Sequence, residues 1–372
     1  MQTKSSSTIL EQITKMTERG LQFNDIQFAD KILRFVGYYP VVNAYKAPFI
    51  DSGEFYQPNV HFEDVYNLYA FDQQQRRIIQ SALEAVELML REISGRAFIN
   101  AYGDDPSAYL EITNYTNIRN PKQRSKFLGK VGFANTQTDF DPYKHYVDTY
   151  VGIPLWVAMT AWDFGTLVHF IKFQKSNIKA EIAKDFFDTE FIRSGSASQS
   201  DFLGNALDLF IKFRNRVAHG NRVYNYRPMT KDSSGALRPI IPYTEAFHNA
   251  FSISREQYQS GFGQGDIYTL LRIVSRLQYD EPKNTLLNGT LDNLIMHLKD
   301  NRELDWHLLQ SLGMTTSEKV SFVTLVTNRN QLLYAQKKIT DIYQYVPAIA
   351  PNTLIVDVSD SSTGLFNSSP FK

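Results

Sequence analysis

Residues 62–99 read FEDVYNLYAFDQQQRRIIQSALEAVELMLREISGRAFI and carry the strongest helical pattern in the chain. Apolar residues recur there every three or four positions, while polar residues such as Gln74 and Glu84 lie away from their centre. The apolar positions are Phe71, Ile78, Ile79, Ala82, Val86, Met89, Leu90 and Ile93. The stretch predicts one long helix with a buried face and, with it, a mainly helical fold.

Helical patterns also flank this stretch. A capping box at Thr8–Glu11 opens a short helix that ends near Gly20, and a second helix stops at Gly37. Further helices are predicted at Pro154–Phe170, Asp201–His219, Ile267–Gln278, Thr290–Leu298, Asp305–Leu312 and Ser317–Ile342. Extended arms at Tyr226–Pro228 and Leu237–Pro242 predict a short hairpin-like excursion, and Leu354–Val358 a strand.

Composition excludes several classes of protein. The 39 cationic and 39 acidic residues cancel, so any nucleic-acid contact must rest on local patches. The absence of cysteine excludes disulfides, thiolate nucleophiles and cysteine-ligated metals. The amino terminus lacks a signal peptide, and the most apolar window, Val151–Ile171, is broken by Pro154 and Asp163. We therefore predict a cytoplasmic protein without a membrane partner.

A second stretch, Lys212–Asn225, carries the candidate chemistry. It reads KFRNRVAHGNRVYN, and no acidic residue occurs between Asp208 and Asp232. On a continuous helix, Asn215, His219 and Arg222 would share one narrow stripe, with Arg214 able to reach its rim. An apolar flank for burial comes from Phe210, Phe213, Val217 and Tyr224. The pattern predicts an anchored helix with a polar edge suited to phosphate; the alternative is an ordinary solvated basic face.

Another acid-free window lies between Glu111 and Asp139. It contains Arg119, Lys122, Arg124, Lys126 and Lys130, with Tyr115 and Phe127 beside them. Such a segment can follow a nucleic-acid backbone with aromatic stacking nearby, or can be a solvated loop and helix face.

No metal site and no cofactor are predicted. The chain has no His-Glu-x-x-His pair, no Gly-Lys-Ser/Thr loop and no Gly-x-Ser-x-Gly elbow. Its carboxylate pairs, Asp104-Asp105 and Asp139-Phe-Asp141, are interpreted as turn and capping residues.

Several blocks occur together in an order that resembles the Abi-type abortive-infection proteins, within the HEPN superfamily of helical ribonucleases. The blocks are Arg19-Gly20-Leu21, Gly37-Tyr38-Tyr39, the Phe71-Asp72 to Arg91 helix, Pro154-Leu155-Trp156, Phe164-Gly165-Thr166-Leu167, Arg214-Asn215-Arg216-Val217-Ala218-His219 and Arg222-Val223-Tyr224-Asn225. Two departures are Gly220, where members often carry a second histidine, and Pro40, where they often carry an arginine.

The resemblance implies a HEPN-like helical bundle and a metal-independent endoribonuclease of bacterial phage defence. In the implied chemistry a ribose 2′-hydroxyl attacks the adjacent phosphate and leaves a cyclic phosphate, so DNA is not cleaved. Arg214, Asn215 and His219 are the implied catalytic residues. The residues predicted to bind RNA are Lys122, Arg124, Lys212, Arg216, Arg222 and Asn225.

By the same analogy we expect a homodimer that pairs two motifs across one cleft, and restraint by a partner in uninfected cells. The predicted organisation is an N-terminal segment at 1–60, a HEPN-like core at 61–228, a mostly helical extension at 229–358 and a flexible tail at 359–372. Two alternatives stay open. One is an RNA-binding module that holds a structured small RNA, such as an antitoxin RNA, with little or no cleavage; the other acts only through protein contacts.

Overall fold

The chain is mainly helical, as predicted. A computed structural model describes residues 6–116, 121–134, 143–188, 199–232, 234–244, 253–300, 308, 311–312, 322–326, 353–357 and 365–366. Its α-helices are α1 Ile9–Glu18, α2 Ile26–Phe35, α3 Phe62–Tyr102, α4 Pro121–Ala134, α5 Tyr143–Thr149, α6 Leu155–Ala158, α7 Phe164–Lys172, α8 Ser176–Phe186, α9 Gln199–Ala218, α10 Arg255–Gln259, α11 Ile267–Val274 and α12 Asp280–Asp300.

Strands and tighter turns complete the described secondary structure. The strands are β1 Met229–Lys231, β2 Leu237–Pro239, β3 Phe322–Val326, β4 Thr353–Asp357 and β5 Leu365–Phe366. A π-helical turn covers Tyr39–Asn43, and 3₁₀ turns cover Ala47–Phe49, Ala108–Leu110, Ile112–Asn114 and Met159–Ala161. Prolines at 40 and 48 in the first turns agree with the prediction that this region forms no long helix.

The chain divides into two compact units. The first unit comprises Met1–Arg77, Arg222–Asn225 and Gly289–Lys372, and the second comprises Ile78–Asn221 and Tyr226–Asn288. The predicted domain boundaries stay predictions.

The first two helices begin at side-chain caps, as the sequence indicates. Thr8 accepts the backbone N–H of Glu11 and the Glu11 carboxylate accepts the N–H of Thr8, so the predicted capping box is confirmed. Asp25 caps α2 by accepting from Gln27 and Phe28. Gly20 and Gly37 follow these helices with φ of 92° and 100°, a region open to glycine.

Helix α3 confirms the long predicted helix and extends it to Tyr102. It runs for 41 residues. The predicted apolar face is buried except at half-buried Met89, with Ile79, Ala82, Val86 and Leu90 fully inaccessible. Burial of this continuous face, rather than helix propensity alone, accounts for the length of the helix.

A buried carboxylate on α3 ties together three parts of the first unit. Asp72 is completely inaccessible. Its Oδ1 accepts the backbone N–H groups of Val223 at 2.9 Å and Tyr224 at 2.6 Å. Its Oδ2 accepts from the Tyr45 hydroxyl at 2.6 Å and from Arg76 Nη1 at 2.8 Å. Although burial raises the pKa of Asp72, these four donors oppose the shift by stabilising the ionised form.

In the second unit, aromatic side chains form much of the core. Trp162 and Phe170 have ring centroids 5.2 Å apart, and Phe127 and Phe98 contact the same Phe170 ring. This confirms a central place for the aromatic segment. Helix α9 packs on α7, α8 and α11 around this core.

The prediction of one helix over Pro154–Phe170 is wrong. The segment forms α6, a 3₁₀ turn and α7, with an extended residue at Trp162. The Asp163 carboxylate accepts the N–H of Thr166 at 2.7 Å and so begins a new helix. A local N-cap therefore interrupts an otherwise continuous apolar pattern.

The hairpin is confirmed, with its first arm displaced. Strand β1 starts at Met229, after the arm predicted at Tyr226–Pro228, and Met229 pairs with Pro239. Asp232 fixes the turn because its Oδ1 accepts the N–H groups of Ser234 and Ala236. The Ser234 and Arg238 side chains also bond to Asp232, and its pKa is lowered to about 2.

Near the carboxyl end, the predicted helix over Ser317–Ile342 is wrong at residues 322–326, because these residues form strand β3. Residues Phe322–Val326 pair in parallel with β4, which confirms the strand predicted at Leu354–Val358. The β-branched and aromatic content of β3 favours this extended form. Of the tail predicted to be flexible, β5 pairs with β4, and the rest lies outside the described residues. Most of the helix predicted at Asp305–Leu312 also lies outside them.

Within the described ranges, no helix is both long and apolar enough to cross a membrane.

We predict that Asp72→Asn lowers the free energy of unfolding by about 3 kcal/mol, because an amide NH₂ would face donors and leave Arg76 without its buried counter-ion. Urea denaturation followed by circular dichroism measures the loss. Asp30→Asn is the matched control, since Asp30 pairs with Arg34 on the exposed side of α2. The control should change stability by no more than about 0.5 kcal/mol. Equal losses in both variants would contradict the anchoring role of Asp72.

Candidate functional site

The motif lies in the last turns of α9, which is buried on one side and presents accessible polar side chains on the other. Phe210 and Phe213 are fully buried and Val217 is 5% exposed, so the predicted apolar flank is confirmed. Tyr224, the flank residue in the first unit, is also buried. On the other side of α9, Asn215 and His219 are exposed, and Arg214 is half-buried. A rigid, packed backbone thus carries accessible polar side chains.

Helix α9 ends immediately after the motif. Gly220 has φ of 65°, and its N–H bonds to the Val217 carbonyl oxygen at 2.9 Å. The N–H of Asn221 bonds to the Arg216 carbonyl oxygen at 3.1 Å. This pair of bonds is a Schellman motif, which needs a left-handed residue at the position of Gly220.

The helix end corrects the predicted stripe. Asn215 and His219 keep their four-residue spacing, since the His219 N–H still bonds to the Asn215 carbonyl oxygen. Arg222, however, lies beyond Gly220 and is not on the helix. The helical stripe predicted through Arg222 is therefore wrong, because the left-handed glycine turns the chain away.

The three candidate catalytic side chains are open to a ligand. Within the described part of the chain, the side chains of Arg214, Asn215 and His219 have neither hydrogen bonds nor ion pairs. Other cations close to them in sequence are already engaged. The Arg216 guanidinium lies 4.7 Å from the Tyr226 ring centroid, in the geometry of a cation–π contact.

A half-buried carboxylate influences the motif arginine. Burial raises the pKa of Glu87 on α3, while the positive charges of Arg91 and Arg214 act to lower it. Arg91 forms an ion pair with Glu87 and donates to the Trp162 carbonyl oxygen at 2.9 Å. Arg214 is therefore within electrostatic reach of Glu87 without an ion pair to it. Glu87 and Arg91 are four residues apart on α3, and this spacing alone gives no sign of the proximity to Arg214.

The RNA contacts predicted on α4 lie on a basic helix that packs on α7, and some of its cations already have partners within the protein. Lys122 and Lys126 are exposed. Arg124 is half-buried and donates to the Thr116 carbonyl oxygen at 3.0 Å. Lys130 forms a 2.6 Å ion pair with Asp163, the N-cap of α7.

The remaining predicted contacts fall in different places. Lys212 is half-buried on α9, whereas Arg222 and Asn225 belong to the first unit. The Arg222 guanidinium donates to the Ala44 carbonyl oxygen and lies 5.9 Å from the Tyr45 ring centroid and 5.5 Å from that of Tyr224. In this structure Arg222 thus helps to hold the Arg222–Asn225 segment. An RNA contact for it stays a prediction.

No group of three or more histidine, aspartate or glutamate side chains in the described residues is arranged to hold a metal ion. Asp105 accepts the N–H and hydroxyl of Ser107, the turn role predicted for it. The Asp139–Asp141 pair lies outside the described residues.

The fold and site together define a class: helical proteins with an Arg-x4-His motif presented at the open end of a core helix. The family model described as Abi-like protein matches residues 31–225, more than half of the chain. The chain belongs to this family of abortive-infection-type proteins. Comparison with curated proteins gives no match, and comparison with solved structures gives none.

We predict that Gly220→Ala lowers the free energy of unfolding by about 1 kcal/mol, because alanine disfavours the left-handed conformation that closes α9. A Cβ would meet no atom within 4 Å, so steric overlap does not contribute. Gly204→Ala, inside α9 and also free of contacts within 4 Å, is the control. It should gain about 0.5–1 kcal/mol. Thermal and urea unfolding test this difference, and an equal response of both variants would refute it.

Proposed function

We propose that this chain is a metal-independent endoribonuclease of bacterial phage defence, with a HEPN-type active site. The observation that carries the proposal is the edge of α9, where the side chains of Arg214, Asn215 and His219 make neither hydrogen bonds nor ion pairs within the described residues. Their donors and acceptors are therefore available to a ligand. Membership of the Abi-like family supports the same assignment.

The proposed reaction needs a base, an acid and a group that binds phosphate. The ribose 2′-oxygen attacks the phosphorus and its proton passes to His219, since an imidazole exchanges protons near neutral pH. The bond from phosphorus to the 5′-oxygen breaks, leaving a 2′,3′-cyclic phosphate and a 5′-hydroxyl. Arg214 binds the non-bridging oxygens through its planar guanidinium and offsets their growing charge. Asn215, one turn before His219, orients the imidazole or the phosphate.

The leaving 5′-oxygen must receive a proton from a second donor. The motif supplies one histidine per chain, so a homodimer that pairs two motifs would supply the second imidazole at a shared cleft. This pairing is part of the proposal, as are restraint by a partner in uninfected cells and a cytoplasmic location where RNA is accessible. Lys122, Arg124, Lys212, Arg216, Arg222 and Asn225 are proposed to contact flanking RNA.

The second candidate function is an RNA-binding module that holds a structured small RNA without cleaving it. Exposed Lys122 and Lys126 on α4, within a stretch free of acidic residues, favour such docking. The two functions differ in what happens to bound RNA.

We predict that His219→Ala lowers the rate of RNA cleavage by about 10²–10⁴-fold, the range expected for loss of a general acid or base. Arg214→Lys should lower it by at least about 10²-fold, because lysine keeps the charge and loses the two-point contact with phosphate. Total RNA and RNA that copurifies with the protein are incubated with EDTA, and cyclic-phosphate ends are quantified. An oligonucleotide with a single 2′-deoxyribose at the cleavage position should stay intact there.

The matched control is His145→Ala, an exposed histidine on α5, which should cleave at the wild-type rate. RNA binding of His219→Ala, measured by fluorescence anisotropy, should match that of the wild type. Cleavage by His219→Ala at the rate of the control would overturn the assignment. A discrete RNA bound by the wild type in a salt-sensitive manner and left intact would instead establish the binding module.

A further inference from the structure

A loop of the first unit holds one carboxylate against two cations. Residues 51–55 are all exposed, and a bridge between Ile50 and Tyr56 closes the base of the loop. Glu54 accepts a hydrogen bond from Arg19 Nη1 at 2.7 Å, and its Oε1 lies 3.6 Å from Lys46 Nζ. The Glu54 side chain thus joins Arg19, at the end of α1, to Lys46, which precedes the 3₁₀ turn Ala47–Phe49.

The backbone of Glu54 is strained. Its φ is 62°, a left-handed value that disfavours any residue with a Cβ and that glycine adopts freely. The conformation is held by Asp51, whose Oδ1 accepts the N–H of Gly53 at 2.8 Å and of Phe55 at 3.0 Å. Strain of this kind concentrates at functional positions. The position carries a charged side chain although glycine would suit the backbone better.

The two cations are more firmly placed than the carboxylate that covers them. The side chains of Arg19 and Lys46 are 29% and 16% exposed, compared with 57% for Glu54. The Arg19 carbonyl oxygen also accepts the N–H of Tyr56 at 2.8 Å, which fixes the backbone beneath the guanidinium. The two cations are therefore the more buried part of the cluster, and the carboxylate is its most exposed member.

Two phenols complete the surroundings. Tyr38 and Tyr56 lie within electrostatic reach of Arg19 and Glu54, and burial raises the pKa of both hydroxyl groups. The guanidinium and the ammonium group together offer more N–H donors than one carboxylate can accept.

We infer that Arg19 and Lys46 form a binding site for a phosphate monoester, and that the Glu54 carboxylate occupies it when no ligand is bound. A monoester carries close to two negative charges and three terminal oxygens, which match the charges and the several N–H donors of the two cations. Displacement of Glu54 requires little, because an exposed ion pair contributes little to stability and the loop has no buried side chain. The site shares no residue with the proposed nuclease and does not depend on its function.

The ligand can be a free nucleotide or the 5′-phosphate of an RNA, and binding measurements distinguish the two. Binding of inorganic phosphate and of AMP is measured by calorimetry. Binding of a 12-nucleotide RNA, with either a 5′-phosphate or a 5′-hydroxyl, is measured by fluorescence anisotropy. Glu54→Gln removes the covering charge and should tighten binding of phosphate and AMP by about tenfold. If Glu54→Gln also binds the 5′-phosphorylated RNA more tightly than the wild type does, RNA 5′ ends are ligands of the site too. Arg19→Gln combined with Lys46→Gln should abolish all monoester binding.

Glu18→Gln is the matched control because it removes an equal charge from an exposed residue next to Arg19. It should leave each affinity at the wild-type value. Glu54→Gly should show the same gain as Glu54→Gln together with an unchanged or higher Tm, since glycine relieves the strained backbone. The inference is overturned if Glu54→Gln binds no tighter than Glu18→Gln, if binding survives loss of both cations, or if 5′-hydroxyl RNA gains as much as 5′-phosphorylated RNA.

Discussion

Burial of one carboxylate side chain, that of Asp72, constrains how the first unit forms. Removing a carboxylate from water is costly unless donors replace the lost hydration. Asp72 receives them from Tyr45, from Arg76 on its own helix and from the backbone of Val223 and Tyr224. Because the backbone donors are 151 and 152 residues away, the carboxylate is satisfied only when distant parts of the chain have come together. Asp72 thus links helix α3 to Val223 and Tyr224, the residues that follow the motif.

The basic residues of the motif region divide into two groups. Arg216 and Arg222 have aromatic or carbonyl partners, so their charges serve packing as well as any ligand. The side chains of Arg214 and His219 have no such hydrogen-bonding partners in the described part of the chain. A sequence pattern cannot make this distinction, since all four positions look equally basic or polar. Tertiary contacts decide which cations are available.

Local signals explain what the sequence predicts well. The continuous apolar face of α3, the Thr8–Glu11 capping box and the buried flank of α9 are all encoded within a few turns. The break before Asp163 is missed because one N-cap overrides a strong apolar run, and the helical stripe fails at Gly220 because a single left-handed residue ends it. The parallel partner of β3 and the backbone donors of Asp72 are distant in sequence, and no local pattern indicates them.

The placement of Arg222–Asn225 in the first unit has a consequence for biosynthesis. At roughly 5–20 residues per second, the 151 residues that separate Asp72 from Val223 take a ribosome roughly 8–30 s to add. Residues from Gly289 onward, which also belong to the first unit, emerge later still. The nascent chain therefore contains a complete α9 before all residues of the first unit have been synthesised. Ala44 and Asp72, which bind the Arg222–Asn225 segment, are already present when that segment emerges.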